Sequence, residues 1–166
     1  MAEQQGDGSD GQFGEPVGRD LGHSGQSLPA VRLLVACKQP RERQSLKALL
    51  TALRWSDPSL PAQAIEIVGE AHVGLHAVEQ VQALQPHVVL LDLPTPASAH
   101  SEPTSGWEMN GLSTIRTIKA RWPAVRVVVL TLYATDRAAA LLAGADVFLL
   151  KGCAMSELLD AVVPPQ

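Results

Sequence analysis

Short apolar runs alternate along this chain with segments whose apolar residues recur every three or four positions. The runs predict five β-strands, at residues 31–36, 64–68, 87–92, 125–131 and 146–151. Four of these runs are almost continuously apolar, which is typical of parallel strands that are covered on both faces. The second run alternates, with Glu66 between two isoleucines, and this alternation favours a position at the edge of the sheet.

The segments between the strands have the spacing of amphipathic helices. Their apolar stripes are Leu46, Leu49, Leu50 and Leu53; Ala77, Val81 and Leu84; and Leu112, Ile115 and Ile118. Residues 138–143 predict a helix of small residues that ends at Gly144, and residues 155–163 predict the last helix. Alternating strands and helices indicate the α/β class: a doubly wound, five-stranded parallel sheet with helices on both faces and right-handed crossovers.

The first 30 residues have a different composition, rich in Gly, Gln, Ser and Asp, with Phe13 as the only large aromatic residue. Such a segment buries too little apolar surface to offset the entropy lost on ordering. We therefore expect a disordered tail at residues 1–30, followed by a single domain at residues 31–163.

Composition and charge exclude several classes of function. The net charge of −4 and the absence of a basic run argue against nucleic acid as a partner. No apolar stretch approaches the roughly 20 residues of a membrane helix. Two cysteines are too few for a disulfide scaffold and fit a cytoplasmic protein. The phosphate-loop, nucleophile-elbow and CxxC motifs are absent from the sequence, and we expect no enzymatic activity.

Polar side chains end three of the predicted strands. Asp92 ends the third, Thr131 the fourth and Lys151 the fifth. In parallel α/β sheets, function gathers at the carboxyl ends of the strands. One polar residue at such an end is explained by the strand emerging into water, but an acid, a hydroxyl and an amine on three strands together indicate a site.

The segments PHVVLLDLPTP, LTLY and GADVFLLKG resemble the receiver domains of response regulators in two-component signalling, most closely those of LuxR-type regulators. VRLLVACKQPRERQSLKALL and AIEIVGEAHVGLHAVEQVQALQP are similar to the first and second β/α units of the same domains. The resemblance covers about residues 31–163. It implies the flavodoxin-like strand order 2-1-3-4-5.

The resemblance also implies roles for individual residues. Asp92 matches the aspartate that accepts a phosphoryl group from a histidine kinase, and Thr131 the hydroxyl residue that binds the phosphoryl oxygen. Lys151 matches the lysine that pairs with the phosphoaspartate, and Phe148 the aromatic residue that changes rotamer on activation. A carboxylate nucleophile needs a nearby cation as charge grows on the phosphoryl group, and Lys151 is suited to supply it.

The resemblance fails at the end of the first strand. Receivers have an acidic pair there that holds Mg²⁺ together with the phosphoacceptor, whereas this chain has Cys37 and Lys38. Mg²⁺ prefers carboxylate and water oxygens, so a thiol is a poor ligand and an ammonium group repels it. We therefore expect no metal at this degenerate site, no resident cofactor and only weak binding of Mg²⁺.

A second departure from the family is an insertion at residues 97–108, which is either a tolerated surface loop or a functional segment, namely a lid or a loop that docks a partner. His72 and His76 have the spacing of a chelating pair on a helix, but no third ligand is visible. A disulfide between Cys37 and Cys153 is not expected, because two strands would separate theirs, at about 4.8 Å per strand.

Three hypotheses follow. The first is an atypical stand-alone receiver that works without phosphorylation, as a protein-interaction module for a histidine kinase or another signalling protein, and dimerises through its fourth helix, fifth strand and fifth helix. The second is a receiver that accepts a phosphoryl group on Asp92, with Lys38 and Lys151 partly replacing the metal. The third is a flavodoxin-like ligand binder. Since the chain ends at Gln166, we expect no DNA-binding output domain.

Overall fold

Five strands and five α-helices alternate along the part of the chain that the computed structural model describes, residues 30–56, 65–93 and 110–163. Their order is β1 (Val31–Cys37), α1 (Pro40–Ser56), β2 (Ile65–Ala71), α2 (Leu75–Leu84), β3 (Val88–Leu93), α3 (Gly111–Arg121), β4 (Arg126–Thr131), a 3₁₀ turn (Ala134–Asp136), α4 (Arg137–Leu142), β5 (Val147–Leu150) and α5 (Met155–Val162). The five predicted strands are confirmed. The second of them continues to Ala71, beyond its predicted end.

The five strands form one parallel sheet in the order β2-β1-β3-β4-β5, as predicted. The alternating second strand is an edge strand, and β3 is the central one. In the register of the sheet, Cys37 lies beside Asp92, whereas Thr131 lies beside Leu93 and Leu150. The ends of four strands therefore meet at one edge of the sheet.

Apolar residues on the two faces of the sheet form two cores, because successive side chains of a strand point to opposite faces. The first core lies against α2, α3 and α4 and includes Leu34, Leu91, Val129, Ile115 and Ile118. The second lies against α1 and α5 and includes Leu33, Val35, Leu90, Leu50 and Leu158. Helices on both faces confirm the doubly wound arrangement.

The predicted helical stripes are largely buried, with one error. Leu46 and Leu50 of α1 are buried, but Leu49 is exposed. Leu46 and Leu50 are four residues apart, so they lie one helical turn apart on the same side of α1 and face the sheet. Leu49 precedes Leu50 by one residue and therefore lies to the side of this stripe, outside the core. The side chain of Leu53 and the predicted tail and insertion lie outside the described residues.

Gly144 ends the α4 region, as predicted. Its φ of 106° lies in the left-handed region, which glycine adopts without the steric cost of a side chain. The amides of Gly144 and Ala145 donate to the carbonyls of Leu141 and Ala140 and close the helix end. Among the described helices, none is long and apolar enough to cross a membrane.

Candidate functional site

Asp92 lies near the end of the central strand, and its side chain has no exposed surface. It is two residues beyond Leu90, so it points toward α1 and α5. Cys37 lies directly beside it on β1 and points the same way. The Cys37 thiol is 3.2 Å from Asp92 Oδ2 and donates to it. The apolar rows that fix the register of the sheet thus place a thiol against a buried carboxylate.

Lys151 supplies the positive charge at this site. It follows β5, and its Nζ lies 2.9 Å from Asp92 Oδ1. Asp92 Oδ1 therefore has the Lys151 ammonium as its ion-pair partner. The acid and amine predicted at two strand ends therefore meet.

Glu42 is a site residue that the sequence analysis missed. Helix α1 begins at Pro40, three residues after Cys37, and Glu42 lies in its first turn. Its Oε2 is 3.2 Å from Cys37 Sγ and 3.7 Å from Lys151 Nζ. Proline at a first helical position followed by an acid in the first turn is a recognisable helix start. This signal could have placed a carboxylate near the end of β1.

Cys37, Glu42, Asp92 and Lys151 form what we call the Asp92 cluster. Three oxygen atoms surround the Cys37 sulfur: Glu42 Oε2 and Asp92 Oδ2 at 3.2 Å and the Gln39 carbonyl at 3.5 Å. A thiol has one proton and donates one hydrogen bond at a time. The sulfur is therefore surrounded by more acceptors than its one proton can serve.

Burial and charge shift the pKa values of this cluster. Burial raises the pKa of Cys37 to about 12, and its hydrogen bonds to the two carboxylates add to the effect. The hydrogen bond from Cys37, together with the charge of Lys151, lowers the pKa of Glu42. Cys37 is therefore a neutral thiol and Glu42 an ionised carboxylate at neutral pH.

Burial raises the pKa of Asp92, while the contacts with Lys151 and Cys37 oppose that rise. For Lys151, burial alone would lower the pKa, but the contact with Asp92 prevails and raises it. These two pKa shifts have different consequences for the pair. A raised pKa favours a neutral Asp92, whereas the raised pKa of Lys151 reflects an ionised carboxylate beside it. We take the pair as ionic at neutral pH, because the ammonium is only partly buried and touches the carboxylate directly.

Thr131 and Phe148 lie on the other face of the sheet. Thr131 is buried, and its Oγ1 accepts a hydrogen bond from the Tyr133 amide at 3.2 Å. Phe148 packs against the first core, with the Arg137 guanidinium 6.0 Å from its ring centroid. None of the described hydrogen bonds joins Thr131 to Asp92. Cys37, Asp92 and Lys151 thus lie together on one face of the sheet, and Thr131 and Phe148 lie on the other.

The Response regulator receiver domain profile matches residues 52–163. The chain belongs to this family. Relatives of this receiver domain include the nitrate/nitrite response regulator protein NarL of Escherichia coli K12, 32% identical over 136 residues, and the transcriptional activator DevR/DosR of Mycobacterium tuberculosis, 33% identical over 115 residues. These alignments cover 81% and 68% of this chain, but only 53% and 46% of the relatives.

Solved structures show the same fold. A LuxR-family DNA-binding response regulator from Staphylococcus aureus superposes with a TM-score of 0.58 at 22% identity, covering 80% of this chain and 95% of that one. The isolated receiver domain of RcsB from Salmonella enterica gives 0.56 at 21% identity, covering 78% and 83%. The expected likeness to LuxR-type receivers is confirmed. Receiver domains of response regulators are in general signalling modules and not enzymes.

The match to the family profile begins at residue 52 and leaves out β1 and most of α1. This unmatched part contains Cys37, Lys38 and Glu42. Lys38 is exposed, and none of the described hydrogen bonds or ion pairs involves its ammonium group. Of the two positions where receivers carry the acidic pair, only Cys37 therefore contributes to the Asp92 cluster.

The donor set of the Asp92 cluster does not fit the Mg²⁺ ion of the receiver family. Mg²⁺ demands octahedral oxygen ligands and keeps several waters. Here a thiol lies between the two carboxylates, and the Lys151 ammonium lies against Asp92 Oδ1. Glu42 restores one carboxylate, but the sulfur takes the place that an oxygen ligand would need.

The other candidate ligands do not form a site. His72 precedes α2 instead of sharing a helix with His76, so that part of the interpretation was wrong. The His72 amide donates to His76 Nδ1 at 3.1 Å, and the ring centroids are 6.1 Å apart. Cys37 and Cys153 are both free thiols, in agreement with the expected absence of a disulfide between them.

Proposed function

We propose that this receiver is an atypical signalling module that acts through protein contacts, independently of phosphorylation. The observation that carries the proposal is the state of Asp92. Its side chain is fully buried, Oδ2 accepts from Cys37, and Oδ1 is paired with Lys151. A phosphoacceptor must present a free carboxylate oxygen to its donor. In this arrangement each oxygen already has a close partner.

Charge supports the same proposal. Phosphoryl transfer depends on positive charge that stabilises the transferring group. The only cation of the Asp92 cluster is Lys151, which is 2.9 Å from Asp92 and 3.7 Å from Glu42. Two carboxylates share this single ammonium. Little positive charge remains for an incoming phosphoryl group.

Exposed leucines near α4, β5 and α5 support a protein partner. Leu132 and Leu142 are 62% and 86% exposed, and Leu150 and Met155 are also exposed. Leu132 and Leu150 lie at the same end of neighbouring strands, because Leu150 pairs with Thr131. We propose that this surface binds a histidine kinase, another signalling protein or a second copy of the chain. We also propose a stand-alone, cytoplasmic module, in line with its free thiols.

The decisive experiment incubates the full chain with acetyl phosphate, with and without Mg²⁺, and measures the intact mass. We expect no added phosphoryl group in either condition. The matched control is Asp92→Asn, which has no acceptor and should give the same spectrum. A gain of one phosphoryl mass in the parent, absent from Asp92→Asn, would overturn the proposal.

A second candidate function is phosphorylation of Asp92, and Glu42 is the observation that favours it. Glu42 brings a second carboxylate close to Asp92, which partly makes up for the missing acidic pair. In that case Glu42→Gln should reduce any phosphorylation of the parent, whereas Glu66→Gln, at an exposed position on β2, should not. The family match argues against the flavodoxin-like ligand binder.

The dimer hypothesis has a separate test. Leu142→Glu places a charge on the proposed interaction surface, whereas Leu49→Glu places a charge at an exposed position of α1. If the parent sediments as a dimer through this surface, Leu142→Glu should shift it to monomer and Leu49→Glu should not. Equal sedimentation of both variants and the parent would remove this surface as a dimer contact.

A further inference from the structure

We propose that His72 and His76 form a proton-sensitive contact at the junction of β2 and α2, which is closed while both rings are neutral and opens when either ring is protonated. The proposal goes beyond the signalling function and does not depend on whether Asp92 is phosphorylated. His72 follows the last residue of β2, and His76 is the second residue of α2. Both residues are exposed, so protons from solvent reach the two rings directly.

Each ring accepts a hydrogen bond at Nδ1 from a group that can only donate. The backbone amide of His72 donates to His76 Nδ1 at 3.1 Å. The Arg43 guanidinium lies against His72 Nδ1, with 3.4 Å between Nη1 and the ring nitrogen. Since a guanidinium and a backbone N–H offer no acceptor, both Nδ1 atoms must be without a proton for these contacts to form. The proton of each neutral ring is therefore on Nε2.

A second proton on either ring removes one of these acceptors, because an imidazolium carries a proton on both nitrogens. On His76 it would set the ring N–H against the N–H of His72. On His72 it would set an N–H and a positive charge against the Arg43 guanidinium. Histidine changes its charge between about pH 5 and pH 8. The two contacts should therefore be complete at pH 8 and be lost as the pH falls toward 5.

The charged groups around His72 leave an added positive charge without a carboxylate of its own. Arg43 and Lys47 of α1 both pair with Glu70 of β2. Glu70 Oε1 is 3.0 Å from Lys47 Nζ, and Glu70 Oε2 is 3.8 Å from Arg43 Nε. One carboxylate is thus shared between two cations before a histidine is charged. Glu79 of α2 takes part in none of the ion pairs among the described residues.

Arg43 connects the histidine contact to the end of β1. Its Nη1 donates to the Cys37 carbonyl at 2.9 Å in addition to its contact with His72. Only 13% of the Arg43 side chain is exposed, so the guanidinium is held between the two groups. Protonation of His72 repels this guanidinium. A proton taken up at the β2–α2 junction therefore acts on a group that also binds the end of β1.

The first test measures by NMR the solvent exchange of the His72 backbone N–H, on the full chain at pH 7.5 and pH 5.0. The exchange rate of an unfolded peptide at the same pH, divided by the measured rate, gives the protection. We expect the protection of His72 to be about fivefold lower at pH 5.0, which corresponds to the loss of one hydrogen bond. Leu91, in the central strand, should keep its protection. Equal protection of His72 at both pH values would overturn the proposal.

Asparagine provides the matched variant, because its side-chain oxygen accepts a hydrogen bond but does not take up a proton in this pH range. In His76→Asn the protection of the His72 N–H should no longer depend on pH. The control is His87→Asn, which changes a histidine before β3 whose Nδ1 accepts from the Arg32 amide at 3.2 Å. It should leave the fivefold loss at His72 unchanged. The same loss in His76→Asn as in the parent, or no loss in His87→Asn, would count against the proposal.

The second test compares stability, so that the contact of His72 with Arg43 is included. The double variant His72→Asn with His76→Asn keeps both acceptors without their titration. Since the folded parent must give up these contacts to bind protons, its urea-unfolding midpoint should fall relative to that of the double variant between pH 7.5 and pH 5.0. The carboxylates titrate in both proteins, so the difference isolates the two histidines. A difference that stays constant over this range would contradict the proposal.

Discussion

Cys37 and Asp92 lie directly opposite each other on β1 and β3, with the sulfur of one 3.2 Å from Oδ2 of the other. The register that pairs them follows from the buried apolar rows of both strands, since a shift by one residue would turn those rows to the wrong face. A change of residue type at position 37 therefore acts directly on the buried acid.

Replacing Lys151 with Met should destabilise the fold by about 3 kcal/mol at pH 8, because it leaves a buried carboxylate without its cation. The pKa of Asp92 is already raised by burial, and a raised pKa favours the folded protein at low pH. The loss should therefore shrink as the pH falls. Urea unfolding at pH 8 and pH 5 measures both effects.

The control for that variant is Lys47→Met, which breaks the ion pair of Lys47 with Glu70 on the surface. Exposed pairs contribute little, so the loss should stay below about 1 kcal/mol. Adding Asp92→Asn to Lys151→Met should recover most of the stability. Equal losses in the two lysine variants would show that the contact with Asp92 contributes no more than a surface pair.

Alkaline pH should destabilise the protein through Cys37. Its pKa is raised from 9.0 to about 12, so the folded state holds the proton more tightly than the unfolded chain. This contribution is complete below about pH 9 and is lost as the pH rises toward 12. By pH 10.5 it should have decreased by about 2 kcal/mol. The measurement is the free energy of unfolding against pH.

Other groups also titrate in this range, so the comparison is with Cys37→Ser and Cys153→Ser. The Cys37→Ser variant should lose the extra alkaline slope, whereas Cys153→Ser should keep most of it. Parallel curves for the parent and Cys37→Ser would show that the thiol proton does not contribute to stability.

Restoring the acidic pair should restore magnesium chemistry. The double variant Cys37→Asp with Lys38→Asp places oxygen ligands beside Asp92, and like charges should make it less stable than the parent without metal. Mg²⁺ should recover that stability by binding the folded state. With Mg²⁺ and acetyl phosphate the variant should gain one phosphoryl mass, and Asp92→Asn should abolish the gain. Equal phosphorylation of the parent would favour the second candidate function.

Two glycines with positive φ allow a matched comparison of backbone strain and packing. Gly144 and Gly152 have φ of 106° and 93°, and a Cβ on Gly144 would lie 3.1 Å from Lys119 Cγ, while one on Gly152 would meet nothing within 4 Å. Gly152→Ala should cost about 1 kcal/mol from backbone strain. Gly144→Ala should cost clearly more, because Lys119 is held by Asp146. Equal urea-unfolding midpoints for Gly144→Ala and Gly152→Ala would contradict this prediction.

Most of the fold could be predicted because its signals are local. Continuous apolar runs identified the buried strands, and the alternation around Glu66 identified the edge strand. Leu49 was predicted wrongly because helical spacing gives the direction of a stripe but not its width. Where the core ends depends on the neighbouring elements, which spacing alone does not describe.

The candidate site could be predicted only in part. Asp92 and Lys151 end apolar strands, and the parallel sheet brings such ends together. Glu42 was missed because its contact depends on how α1 begins relative to β1, which is a matter of tertiary geometry. Only the second hypothesis gave Lys38 a role at the site, and its side chain is exposed. Which of two adjacent side chains turns inward depends on where the strand ends.

Two side-chain contacts hold the first turn of α1 against Cys37 at the end of β1. Glu42 contacts the Cys37 thiol, and Arg43 Nη1 donates to the Cys37 carbonyl at 2.9 Å. Helix ends normally fray, and their amides exchange quickly with solvent. Here the helix start cannot open without breaking contacts to the buried cluster. The rate of amide hydrogen exchange in this turn therefore reports whether the contacts of the Asp92 cluster are intact, although the exchanging amides are not those of Asp92.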